Sequence, residues 1–193
     1  FFKQLELPKP NYYLGIGGGS HTQVTAKTML ELEQIFEKEK PDLILVVGDV
    51  NATVAASVVA VKMGISLAHV EAGLRSGDRK MPEEINRIIT DSISNLLFVT
   101  ESAGLVNLAK ENISDDKIFF VGNVMIDSLI YYLKKAEQST ILYELGLEKY
   151  QYILVTMHRP SNVDTQEGLE KIVQILLEIA KTKKERFVLS SVS

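Results

Sequence analysis

Between His69 and Arg87 the chain reads HVEAGLRSGDRKMPEEINR, a stretch dense in groups that could do chemistry. It holds three glutamates (Glu71, Glu83, Glu84), Asp78, three arginines (Arg75, Arg79, Arg87) and a histidine. The whole chain has five arginines, and a fourth, Arg159, lies in a second polar cluster, TMHRPSN (156–162). Carboxylates able to move protons, set among cations able to hold an anion, point to chemistry on a negatively charged substrate. Glu71 follows the apolar run SLAHV, and Asp49 follows LILVV in the same way. Both acids therefore belong at the carboxyl ends of strands, where open α/β sheets bind ligands.

Each of these residues also has a plainer reading. Asp49 or Asn51 could cap the helix that follows. Glu83 and Arg87, four apart, could form an ordinary helical ion pair, while Glu84 falls on another face and is expected in solvent. Arg75 offers a forked donor for phosphate or carboxylate, or a salt bridge to Glu71. His69, inside a strand, reads as a packed, hydrogen-bonded histidine. His158, with Arg159 and Ser161 around Pro160, is expected in a loop at a strand end, where an imidazole suits proton transfer near neutral pH. His21 ends GIGGGSH (15–21), a flexible turn before a helix whose amides could receive phosphate. That spacing is not the dinucleotide fingerprint. The three histidines are too scattered for a metal site, and no cofactor is implied.

The elements that must position these groups alternate. NYYLGI (11–16) reads as a short strand. An apolar face through Val24, Met29, Leu32, Ile35 and Phe36 predicts a helix over 22–40. Strands are expected at 43–47, 66–70, 96–100, 117–122 and 152–157, with a last one in FVLSSV. Helices are expected at 52–63, 82–95 (Pro82 in its first turn), 103–111, 127–136 and 165–184, the last with Ile172, Ile175, Leu176 and Ile179 inward. This order implies an α/β fold with a parallel sheet covered on both faces. A composition change near 138–150 divides the chain into a first domain, 1–145, and the opening of a second, 146–193.

Bulk composition narrows the function. Apolar residues make up 46% and charged residues 24%, as in an ordinary globular protein. The net charge of −4 argues against a nucleic-acid partner. Cysteine is absent, which removes disulfides and thiolate chemistry and fits a cytoplasmic location. Apolar runs are strand-length, so no membrane partner is expected. The opening Phe1-Phe2 and the closing RFVLSSVS make the chain read as a piece of a longer protein.

Taken together, GDVNAT (48–53), HVEAGLRSGDRKMPEEINR, VGNVMID (121–127) and TMHRPSN resemble the UDP-N-acetylglucosamine 2-epimerase family, in order and spacing, over nearly the whole chain. The resemblance implies two Rossmann-like domains facing across a cleft, the glycosyltransferase-B-like architecture, with the second domain truncated here. It implies that Asp49, Glu71, Glu83, Arg87 and His158 form the catalytic set, and that His21, Asn51, Arg75, Arg159 and Ser161 bind UDP-N-acetylglucosamine. The implied reaction of the non-hydrolysing enzymes is reversible C2 epimerisation through a 2-acetamidoglucal intermediate, in a homodimer. A hydrolysing epimerase, a glycosyltransferase of like architecture and a non-catalytic nucleotide-sugar-binding protein are the alternatives. The family's Gly-Thr-Arg-Pro-Glu and Ser-Gly-Gly motifs are not in this chain, and Ser191-Val192-Ser193 stands where Pro-Val-His is expected.

Overall fold

The computed structural model describes residues 5–157, 164–182 and 186–190. Its first sheet has four parallel strands, β1 (Leu43–Val47), β2 (Ser66–Val70), β3 (Leu96–Val99) and β4 (Ile118–Phe120), in that spatial order. Every crossover steps one strand in the same direction. Connections of one hand then place the intervening helices on the same side of the sheet. These helices are α2 (Asn51–Lys62), α3 (Pro82–Ile93) and α4 (Ser102–Lys110), preceded by α1 (His21–Glu39).

The register identifies the covered face. Ile44 and Val46 lie beside Leu67 and His69, and Leu97 and Val99 continue the face toward β4. Phe36 of α1 and Val59 and Ala60 of α2 close on Val46 and Leu67, and Leu108 of α4 closes on Leu97 and Val99. On the opposite face Leu43, Leu45, Val47 and Phe119 are exposed. The expectation of cover on both faces is thus corrected: one-directional strand order supplies helices to one side only among the described residues. LILVV, apolar throughout, is an edge strand buried on one face.

NYYLGI is not a strand. It runs irregularly, with Tyr13 90% exposed and no ladder to join among the described residues. The glycines after it deliver the chain to Ser20, which caps α1 by accepting from the Gln23 amide while the Gln23 side chain accepts from the Ser20 amide. Other element ends fall within a few residues of their expected places.

The chain divides into two compact units, residues 1–132 and 133–193, with α5 (Val124–Glu137) spanning the division. In the second unit β5 (Tyr152–Thr156) pairs in parallel with β6 (Arg186–Ser190). Between them in the chain runs α7 (Gln166–Thr182), and the short α6 (Ile141–Glu144) precedes both strands. On α7, Ile172, Leu176 and Ile179 are half-buried as expected, whereas Ile175 faces outward.

Candidate active site

The chain leaves β2 through an unusual residue. Glu71 adopts φ 71°, the left-handed region, which costs a side-chain-bearing residue on the order of 1–3 kcal/mol and persists only where its surroundings hold it there. They do: the Ala72 amide donates to the Phe98 carbonyl at 3.2 Å, and the Gly73 amide donates to Asp91 Oδ2 at 3.0 Å. The turn brings the Glu71 carboxylate back over the end of β1. A Cβ placed on Gly48 would stand 3.5 Å from Glu71 Oε2, and the Gly48 amide donates to the Val70 carbonyl at 3.1 Å. Asp49 and Glu71 thus flank adjacent strand ends.

Helix α3 ties Asp49 down. Arg87 makes an ion pair with Asp49 through Nη2 and reaches Glu84 through Nη1 at 3.2 Å. Asn86 donates to the Asp49 carbonyl at 2.8 Å. Two readings from the sequence are corrected here: Arg87 pairs with Glu84, not Glu83, and Glu84 is buried, not solvated. It is 2% exposed. It accepts from the Ser76 amide at 2.8 Å, the Ser76 hydroxyl at 3.0 Å and the Gly77 amide at 3.0 Å. The loop before α3 folds back over the helix's first turn, so its amides solvate the carboxylate where water cannot.

Burial alone would raise the Glu84 pKa. The Ser76 and Gly77 amides, the Ser76 hydroxyl and Arg87 outweigh it and hold the carboxyl below its ordinary value. A carboxyl depressed by folding adds stability above its unfolded pKa and loses it as pH falls through the folded one. Glu84→Gln is therefore expected to cost about 2–4 kcal/mol at pH 7, with the gap to wild type closing below about pH 4. Urea unfolding of both proteins across pH checks this.

Against these tied acids, Glu71 and Glu83 stand apart: neither carboxylate has a hydrogen-bond or ion-pair partner among the described residues. Glu83 lies in the first turn of α3, one turn before Asn86 and Arg87, whose side chains reach the Asp49 loop. Neither Asp49 nor Asn51 caps α2. Val50 takes the cap position, and no side chain bonds there. Asn51 instead meets His21, with its amide atoms 3.1 and 3.2 Å from Nδ1. Both line a cavity of about 440 Å³ with Thr25, Met29, Ile85 and Asn86.

Arg75 is engaged elsewhere. It forms a fork with Glu111, at 2.8 Å through Nε and 2.6 Å through Nη2, and Nη1 lies 2.7 Å from Asp91 Oδ2. Burial would lower its pKa, but Glu111 and Asp91 raise it further and hold the guanidinium charged. Among the described residues nothing bridges it to Glu71. His158, Arg159 and Ser161 lie outside the described residues. Asn86, Asp91 and Glu111 were missed from sequence. Asn86 alone carried a signal, three residues after Glu83 on the same helical face. No helix among the described residues is long and apolar enough to cross a membrane.

The sequence profile of the family described as UDP-N-acetylglucosamine 2-epimerase matches residues 1–193. A UDP-N-acetylglucosamine 2-epimerase of Methanocaldococcus jannaschii is 44% identical over 193 residues, covering 98% of this chain and 53% of its own. A UDP-2,3-diacetamido-2,3-dideoxy-D-glucuronate 2-epimerase of Pseudomonas aeruginosa is 43% identical over 182 residues, covering 93% of this chain and 50% of its own. The crystal structure of the M. jannaschii enzyme with UDP-GlcNAc and UDP superposes with a TM-score of 0.89 at 42% identity, over 99% of this chain and 53% of that one. The chain spans about half the length of these relatives. With a profile match from end to end and a parallel α/β sheet shared with solved epimerases, the chain belongs to the UDP-N-acetylglucosamine 2-epimerase family.

Proposed function

We propose that this chain supplies the acid-bearing half of the active site of a non-hydrolysing UDP-N-acetylglucosamine 2-epimerase. One carboxylate takes the proton from sugar C2, the C1–O bond to UDP breaks, and a C1=C2 double bond forms, giving 2-acetamidoglucal. UDP then adds back to C1 while a carboxyl on the other face returns a proton to C2. Nothing is oxidised overall, so no cofactor is called for. Glu71 and Glu83 are the two C2 groups. The observation that carries this is that, among the described residues, neither has a hydrogen-bond or ion-pair partner, whereas Asp49 and Glu84 are both committed to Arg87. A tied carboxylate would have to break an ion pair to move a proton.

Asp49, steadied by Arg87, orients the sugar, and His21 and Asn51 contact the substrate. His158 and Arg159 meet the diphosphate, and Ser161 contacts the substrate. The reading carries with it a homodimer, as the family resemblance implies, in the cytoplasm, which a chain without cysteine fits. A second reading keeps the chemistry and changes the sugar: the diacetamidoglucuronate epimerase is nearly as similar to this chain as the M. jannaschii enzyme.

Incubating the whole protein with each nucleotide sugar in D2O is the test. Deuterium at C2 of a retained UDP-N-acetyl sugar is expected. Free UDP with N-acetylmannosamine would assign hydrolysis, exchange only in the diacetamidoglucuronate would assign the second sugar, and no exchange in either would sink the epimerase reading.

A further inference from the structure

His69 and Asp91 are both sealed from solvent, and the reaction as written uses neither. His69 Nε2 faces the Gly48 carbonyl at 2.9 Å. A carbonyl oxygen only accepts, so Nε2 carries a proton. Nδ1 faces Asp91 Oδ1 at 2.6 Å. The other Asp91 oxygen accepts from the Gly73 amide at 3.0 Å and forms an ion pair with Arg75 Nη1 at 2.7 Å. An ionised carboxylate also only accepts, so Nδ1 donates as well. Assigned from its partners in this way, the ring donates at both ends.

The two ends hold two different loops. The Gly48 carbonyl belongs to the planar peptide that leads into Asp49, so fixing it fixes the direction in which Asp49 leaves β1. The Gly73 amide lies two residues beyond Glu71 and closes the left-handed turn there. Asp91 in turn sits on α3, the helix that carries Glu83 and Arg87. One buried chain of hydrogen bonds, Gly48 to His69 to Asp91 to Gly73, therefore links the segments bearing Asp49, Glu71 and Glu83.

We propose that His69 and Asp91 are positioning residues: a doubly donating imidazole and its carboxylate clamp the Asp49 loop to the Glu71 turn and set the spacing of the acids. Its kinetic part rests on the epimerase reading; its structural part does not.

The test has two readouts. The chain has three histidines, so nitrogen-15 NMR of histidine-labelled protein can isolate His69. Both of its ring nitrogens are expected to be protonated in wild type. In Asp91→Asn, whose amide can donate to the ring, Nδ1 is expected to lose its proton while Nε2 keeps it. In the whole enzyme, Asp91→Asn is expected to lower kcat for C2 exchange by about 10–100-fold, as a displaced acid does, with KM within about twofold. His69→Gln, which can still reach the Gly48 carbonyl, is expected to retain at least about tenfold more kcat than His69→Leu.

Equal kcat in folded Gln and Leu variants, or an unchanged kcat in Asp91→Asn, would overturn the clamp. So would a wild-type ring with one protonated nitrogen. Should the variants fail to fold, the wild-type ring spectrum and slow exchange of the Gly73 amide decide. Should wild-type enzyme exchange neither sugar, the reaction assignment falls, and those same two measurements still judge the clamp.

Discussion

Glu71→Gln in the whole protein is expected to cut C2 deuterium exchange by about 10³-fold, the scale of a lost general acid or base, while the melting temperature stays within a few degrees. The second half of that expectation comes from the structure. The Glu71 carboxylate has no partner among the described residues, so an amide of the same shape leaves nothing buried and unsatisfied. Glu83→Gln is expected to behave alike. If the two acids serve opposite faces of C2, each variant can wash out one proton transfer while starting from the other epimer, so exchange should be measured from both sugars. Full exchange in both variants would remove the assigned roles. An equal loss in a surface variant such as Glu31→Gln would show that the assay reads stability and not chemistry.

The second large effect is on folding. Gly73 and Gly104 meet face to face behind the Glu71 turn. A Cβ on Gly73 would stand 2.5 Å from the Gly104 carbonyl oxygen and 2.8 Å from its carbon and Cα. All three are backbone atoms of α4 and cannot rotate away. Gly73 also holds φ 79°, a conformation that alanine resists. Gly73→Ala is expected to destabilise by about 3 kcal/mol or more, which for a chain of this size lowers Tm by roughly 6–12 °C. Gly77→Ala is the matched control. Its φ is 76°, but nothing lies within 4 Å of the added carbon, so only the conformational cost, about 1 kcal/mol, applies. The difference between the two melts isolates the contact with α4, and equal melts would show that α4 yields.

How much of this could be read from sequence depends on how far apart the partners lie. Strands such as SLAHV and LLFVT were legible because a parallel strand in a core is apolar on both faces, and the acids at their ends followed from position alone. Glu84 was not legible: its burial depends on two amides, Ser76 and Gly77, folding back from the preceding loop, and no residue type announces an amide. Arg75 looked available because its partner Glu111 is 36 residues away. NYYLGI shows the converse error. Its aromatic and branched residues favour a strand, but a strand needs a neighbour, and among the described residues none pairs with it.

The backbone at Glu71 has a further implication for how such a protein changes under selection. Glycine would occupy φ 71° without the clash that glutamate endures, and the side chain it would delete makes no hydrogen bond or ion pair among the described residues. A library screened at this position for heat resistance alone should therefore enrich glycine, stabilised by up to about 1 kcal/mol, and on the role proposed for Glu71 those variants are expected to have lost C2 exchange. On that role, glutamate is kept there only while turnover is what is being chosen.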